Sequence, residues 1–221
     1  MSKYQIGIVS EGPRDFEMLQ SLITHIVGDE VRCLPLQPDL SATSGFGSYG
    51  AGWHGVRDWC KTIGQHGGLE VFIGDGMELD LLIIQLDGDV AREQEVNCYK
   101  TCPPAQETVN ELENWIKSLL NVRIPDKVVF TIPMDNLESW ILAAYHADHA
   151  LPLSQFECIT KPDYLLLEEP YKLLKKKSNK KPSKTAVKYR DTLIPLVIRQ
   201  WGAVVQLCTQ AEVFNNNIKQ L

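Results

Sequence analysis

Short apolar runs alternate with longer polar segments over the first two thirds of the chain. Runs rich in β-branched and apolar residues, as strands usually are, occupy Tyr4–Val9, Val31–Leu36, Leu79–Leu86 and Val128–Ile132. The third run reads LDLLIIQL and is almost continuously apolar. Such a run is typical of a central strand that is buried on both faces of a sheet. The pattern therefore predicts four strands, with the third near the middle.

The segments that separate these runs carry apolar residues at helical spacing. Helices are predicted over Asp15–Val27, Trp53–Ile63, Gln106–Leu120 and Asn136–Tyr145. The segment Ser41–Gly55 is rich in glycine and predicts a loop. Strands that alternate with helices indicate an α/β fold, with an open, mostly parallel sheet and helices on both faces.

The last quarter of the chain follows a different pattern. Helical spacing recurs over Asp163–Leu174, Thr192–Thr209 and Ala211–Leu221, and no strand is predicted between these segments. We therefore expect a domain over residues 1–150 and a helical extension over residues 151–221.

Composition and charge narrow the classes of function. The 221 residues are 44% hydrophobic and 23% charged, which is ordinary for a globular protein. A formal net charge of −6 excludes a uniformly basic nucleic-acid-binding protein but not a local basic patch. The range 172–188 is such a candidate, because it contains eight lysines and no acidic residue. It predicts contact with phosphates, whereas the plainer alternative is a solvated lysine-rich loop.

Nothing in the sequence indicates a membrane protein or an exported one. No stretch approaches the ~20 apolar residues that span a bilayer, and the first residues lack the pattern of a signal peptide. The six cysteines are scattered and form no CxxC pair. We therefore expect reduced, buried thiols in a cytoplasmic protein.

Acidic residues follow the predicted strands. Glu11 and Asp15 come after the first strand, Asp87 and Asp89 after the third, and Asp135 and Glu138 after the fourth. Taken one at a time, each of these residues has a plainer explanation as a turn or cap residue. Together, at one edge of a parallel sheet, they would repel one another unless a cation intervened. All-oxygen ligands favour Mg²⁺ or Mn²⁺, and a pair of such ions can promote phosphodiester hydrolysis.

These residues resemble motifs of the TOPRIM domain, the catalytic fold of topoisomerases, DnaG-type primases and nucleases of the OLD family. IGIVSEGPRDFEML is similar to the first motif and LLIIQLDGDVA to the second, and the resemblance covers roughly residues 4–146. Asp15 is similar to an acidic position of the OLD-type branch. NLESW, at 136–140, looks like a motif of a bacterial TOPRIM-like group often encoded beside ATPase genes.

The resemblance implies roles for individual residues. Glu11 would be a general acid/base or a metal ligand, and Asp87 and Asp89 would be metal ligands, with Asp15 and Glu138 as further candidates. OLD-type nucleases use a lysine C-terminal to the acidic motifs, and Lys184 is the candidate here. The insertion around the glycine-rich loop and residues 72–77 departs from the family pattern and leaves the strand order open.

The expected function is that of a metal-dependent nuclease in bacterial defence or DNA processing. DNA is favoured over RNA as the substrate, a partner ATPase is expected from the resemblance, and a homo-oligomer is left open. One alternative is a TOPRIM-like module that binds nucleic acid or a partner without chemistry. A further alternative is a small-molecule phosphatase in which Asp87 is the nucleophile.

Overall fold

Four parallel strands form the sheet at the centre of the fold. The computed structural model describes residues 3–39, 49–73, 77–120, 123–152, 154–176 and 182–221. The strands are β1 (Tyr4–Val9), β2 (Val31–Gln37), β3 (Leu81–Gln85) and β4 (Val128–Thr131), in the spatial order β2-β1-β3-β4. All neighbouring pairs are parallel, which confirms the predicted α/β class. β1 and β3, which are distant in sequence, are direct neighbours.

Helices cover both faces of the sheet, as predicted. The longer ones are α1 (Pro13–Val27), α2 (Gly52–Gln65), α4 (Gln106–Leu120) and α5 (Glu138–Asp148), and a short α3 (Gly68–Val71) follows α2. Pro13 stands in the first turn of α1, where its missing amide proton costs no hydrogen bond. The predicted loop over 41–55 lies largely outside the described residues, and α2 begins at its end.

The alternation of side chains along the strands divides the core in two. Ile6, Ile8 and Ile83 point to the face covered by α1, α5 and the C-terminal helices. Leu82 and Ile84 point to the opposite face, against α2 and α4. Because β3 is buried on both faces, its sequence is apolar at consecutive positions rather than at every second one.

The C-terminal part differs from the prediction in its elements. It contains α6 (Pro162–Leu165), α7 (Ala186–Lys188), α8 (Ile194–Arg199), α9 (Trp201–Leu207) and α10 (Thr209–Ile218). The helix predicted over 163–174 is wrong beyond residue 165, because Pro170 is incompatible with a helix interior. The helix predicted over 192–209 is interrupted at Gln200, which separates α8 from α9.

The expectation of no strands in this part is also wrong. Lys175–Lys176 (β5) and Pro182–Ser183 (β6) pair as a small antiparallel ladder. The C-terminal helices share one hydrophobic core with α1, α5 and one face of the sheet. The segment from 151 onward therefore packs on the α/β domain and covers it.

The expectation of six reduced thiols is wrong at two positions. Cys102, in the loop before α4, and Cys158 form a disulfide, with Cα atoms 5.4 Å apart. Their spacing in sequence could not show this, because the fold brings two distant loops together. The other cysteines are free, and Cys60 and Cys208 among them are buried. Because this pair is oxidised, the cysteines no longer support the expectation of a reducing compartment.

Within the ranges described, no helix is both long and apolar enough to cross a membrane.

Candidate active site

The carboxyl ends of β1 and β3 bring Glu11 and Asp87 together. The backbone amide of Asp87 donates a hydrogen bond to Glu11 Oε1 at 2.8 Å. The Glu11 amide in turn donates to Gln85 Oε1 at 3.2 Å, and Gln85 Nε2 donates to Asp87 Oδ1 at 2.8 Å. Gln85 is fully buried and is the last residue of β3. It therefore connects the two acidic residues and fixes their relative position.

Gly88 allows the chain to turn between Asp87 and Asp89. A Cβ atom at Gly88 would overlap Met134 Sδ and lie 3.2 Å from the Met134 Cα, so a side chain there would require Met134 to move. The Asp89 amide donates to the carbonyl oxygen of Asp135 at 2.8 Å, which ties this turn to the end of β4. The Asp89 side chain reaches solvent. Asp89 therefore lies at the mouth of the cleft, and Asp87 lies inside it.

Asp15 reaches the same cleft from the first turn of α1. Its side chain is 9% exposed. Among the charges around it, that of Lys184 has the largest effect on the pKa of Asp15 and lowers it. Asp15 and Glu11 each raise the pKa of Asp87, whereas Lys184 lowers it. The cleft therefore holds acidic groups from β1, α1 and β3 around one ammonium group.

Glu138 belongs to the same cluster but has different partners. It lies in the first turn of α5 and is fully buried. Lys184 Nζ donates to Glu138 Oε2 at 2.8 Å, and the Tyr189 hydroxyl donates to Glu138 Oε1. Lys184, which follows β6, therefore reaches the acidic cleft through an ion pair with α5.

Four residues at this edge were not among the candidates from sequence, namely Gln85, Arg92, Asp163 and Tyr189. Arg92 forms an ion pair with buried Asp135, whose other oxygen accepts from the Lys161 amide at 2.9 Å. Tyr189 and Asp163 come from the C-terminal part, and the charge of Glu138 acts on both of them. Gln85 could have been found from the sequence, because it is a polar residue at the end of an apolar strand. Nothing in the sequence indicated Tyr189 or Asp163.

The cleft stabilises the protonated forms of its carboxylates. Burial, opposed by the hydrogen bond from Asp87 and reinforced by Asp15 and Asp89, raises the pKa of Glu11 to about 8. Burial is also the main reason that the pKa of Asp15 rises to about 6 and that of Asp87 rises well above its usual range. For Asp89, loss of hydration and then the charge of Asp135 raise the pKa to about 7. Additional positive charge would relieve this cost.

The donor set fits a hard cation in its chemistry, because it consists of carboxylate oxygens that repel one another. It is not a preassembled cage. In the part of the chain that the structure describes, no group of three or more His, Cys, Asp or Glu side chains is arranged to hold a metal ion.

The lysines of the range 172–188 differ in their surroundings, which the sequence did not indicate. Lys172 forms an ion pair with Glu169, and Lys176 forms one with Glu168, so these lysines do have acidic partners. Residues 177–181, with three of the lysines, lie outside the described residues. A cavity of about 340 Å³ lies beside β5 and α7. Its lining includes Lys172, Lys175, Lys188 and Asp191, together with Ser183 and Thr185, the neighbours of Lys184 in sequence.

Comparisons of the chain with protein-family models, with curated proteins and with solved structures found no match. The resemblance to TOPRIM nucleases therefore rests on the motif residues themselves.

Proposed function

We propose that the protein is a divalent-metal-dependent phosphodiesterase that cleaves nucleic acid, with a role in defence or DNA processing. One observation carries the proposal: Glu11, Asp15 and Asp87 share a cleft with Asp89 at its mouth, although burial and like charge disfavour their ionised forms. Perturbed carboxylates concentrated in one cleft are typical of catalytic sites. The carboxyl edge of a parallel sheet is also where α/β proteins usually place their sites.

Asp87, Asp89 and Glu11 would hold the cation, with Asp15 beside them. When bound, a divalent ion would acidify a coordinated water and polarise a phosphoryl oxygen. Mg²⁺ commonly binds through one or two carboxylates and keeps several waters, so a complete protein cage is not required.

Glu11 is suited to proton transfer. Its Oε1 accepts the amide of Asp87, which fixes the carboxyl group and leaves Oε2 for a water or an ion. A pKa of about 8 lies close to neutral pH, where a general acid/base exchanges protons most effectively. Lys184 contributes a fixed positive charge that would face the substrate phosphate as negative charge develops.

The cavity at Lys172, Lys175 and Lys188 would accept the nucleic-acid backbone. Its hydroxyl groups from Ser183 and Thr185 come from the same stretch of chain that delivers Lys184 to the cleft. Contacts with the backbone position the substrate without reading its sequence.

A second candidate is the non-catalytic module that binds nucleic acid or a partner protein. The observation that favours it is the absence of a preassembled metal cage within the described ranges. A partner ATPase, which the motif resemblance implies, fits either candidate, as a factor that delivers substrate or controls access to it.

The test is cleavage of plasmid and single-stranded DNA and RNA with Mg²⁺ or Mn²⁺, with and without a candidate partner ATPase. Asp87→Asn should abolish cleavage, because Asn retains the shape of Asp but not its charge. The matched control is Asp126→Asn, an exposed aspartate just before β4, at the opposite edge of the sheet. Equal activity of wild type and Asp87→Asn would favour the binding module.

A further inference from the structure

Both oxygens of Glu138 are engaged by residues of the C-terminal part. Lys184 Nζ lies 2.8 Å from each of Oε1 and Oε2, and Oε1 also accepts the Tyr189 hydroxyl. The partners are 46 and 51 residues away in sequence. These hydrogen bonds hold the ammonium and the hydroxyl group on one carboxylate at the start of α5.

The surroundings make this arrangement rigid. Glu138 is fully buried and Tyr189 is 1% exposed, so neither can rotate toward solvent. Tyr189 belongs to the core shared by α1, α5 and the C-terminal helices. Removing one member of a buried ion pair leaves an uncompensated charge and is strongly destabilising. We therefore expect the pair of Lys184 and Glu138 to stay intact in the folded protein.

Lys184 is held on one side by Glu138 and faces the acidic cleft on the other. Its positive charge lowers the pKa of Asp15, Asp87 and Glu11, as expected for an ammonium group that borders the acidic cleft. A third of its side chain remains exposed, at 33%, so a ligand in the cleft can approach it. Glu138, by contrast, is closed off from solvent.

We propose that Glu138 and Tyr189 are positioning residues that fix Lys184 for contact with a substrate phosphate. This inference rests on the proposed nuclease function and gives Glu138 a role other than the metal ligand expected from sequence. A preorganised cation stabilises charge in the transition state because little reorganisation is needed during the reaction. Without Glu138 or Tyr189, the flexible lysine side chain would sample other orientations.

The first measurement is the ¹⁵N–¹H NMR signal of the Lys184 ammonium, assigned by its loss in Lys184→Met. Ammonium groups that are immobilised by hydrogen bonds give resolvable signals, whereas those of freely exchanging surface lysines broaden. The wild type should show the signal, and Glu138→Gln and Tyr189→Phe should weaken or abolish it. Controls are Glu157→Gln, another buried and hydrogen-bonded glutamate, and Tyr145→Phe, which loses a hydroxyl bond to Pro170.

The second measurement is steady-state cleavage by the same variants. Glu138→Gln and Tyr189→Phe should lower kcat, by up to the ~10²–10³-fold expected for loss of one preorganised donor, with a much smaller change in KM. Lys184→Arg should recover part of the activity lost in Lys184→Met, since it restores the charge. A purely structural role would lower the melting temperature and leave kcat of the folded fraction unchanged.

The outcomes separate the two proposals. A Lys184 signal that persists in both Glu138→Gln and Tyr189→Phe overturns the positioning role, whether or not the wild type cleaves nucleic acid. Loss of the signal together with unchanged kcat also overturns it. A wild type without activity, in which the signal depends on Glu138 and Tyr189, overturns the nuclease function instead. Should Glu138→Gln fail to fold, Tyr189→Phe, which removes only a hydroxyl group, decides the question.

Discussion

The backbone amide of Asp87 donates a hydrogen bond to the carboxylate of Glu11, which lies 76 residues earlier in the chain. The bond exists because β1 and β3 are parallel neighbours, so the residues that follow them meet at one edge of the sheet. Gln85 strengthens the link through its bonds to the Glu11 amide and the Asp87 carboxylate. The acidic cleft is thus a consequence of the strand order.

The metal-free protein should lose stability as the pH rises. Burial raises the pKa of Glu11 to about 8, whereas an unfolded glutamate titrates near ~4.3. Between these values the folded state binds more protons than the unfolded state, so the free energy of unfolding falls with increasing pH. Raised pKa values of Asp15 and Asp87 act in the same direction. Thermal unfolding at pH 5 to 8 in the presence of chelator would measure the slope.

Asp87→Asn should flatten this slope. The substitution removes one buried titrating group and one like charge next to Glu11, so its stabilising effect should be larger at pH 8 than at pH 5. A difference of about 1 kcal/mol corresponds to ~2–4 °C in Tm for a chain of this size. Added Mg²⁺ or Mn²⁺ should raise Tm in the wild type and much less in the variant. Parallel pH profiles for the two proteins would contradict the electrostatic account of the cleft.

Glu11→Gln should separate proton transfer from metal binding. The amide oxygen of the substituted side chain can still accept the hydrogen bond from the Asp87 amide, so the fold should be preserved. Cleavage should fall by ~10²–10⁴-fold if Glu11 is the general acid/base. Excess Mn²⁺ should rescue Asp89→Asn, which weakens only ion binding, more than it rescues Glu11→Gln. Equal rescue of the two variants would make Glu11 a simple ligand.

Much of this site could be predicted because local sequence determines it. The apolar run of β3 and the repeated strand–helix pattern indicated a parallel sheet, and that fold placed Glu11 and Asp87 at the same edge. The contribution of Tyr189 could not be predicted, since it depends on how the C-terminal helices pack against α5. The same holds for Asp163, which also comes from the C-terminal part. Contacts of this kind come from tertiary packing and leave no periodic signal.

The lysines at the cavity should bind phosphates rather than take part in chemistry. Lys175 and Lys188 both line the cavity. Replacing them together with alanine should weaken nucleic-acid binding and reduce the slope of log K against log salt concentration by about one unit for each phosphate that is no longer neutralised. Fluorescence anisotropy over a salt series measures both quantities, and Lys61→Ala on the exposed side of α2 is the control. An unchanged slope would identify the segment as a solvated surface.

The disulfide should stabilise the attachment of the C-terminal part to the α/β domain. Cys102 and Cys158 are separated by 56 residues, and closing a loop of that length removes about 4 kcal/mol of chain entropy from the unfolded state in the simple loop model. Replacing both cysteines with serine should therefore lower the free energy of unfolding by ~2–4 kcal/mol, as measured by urea denaturation. Replacing free Cys98 with serine provides the control. Thiol counting in denaturant without reductant should find four free thiols, and six would show that the two cysteines are not joined in solution.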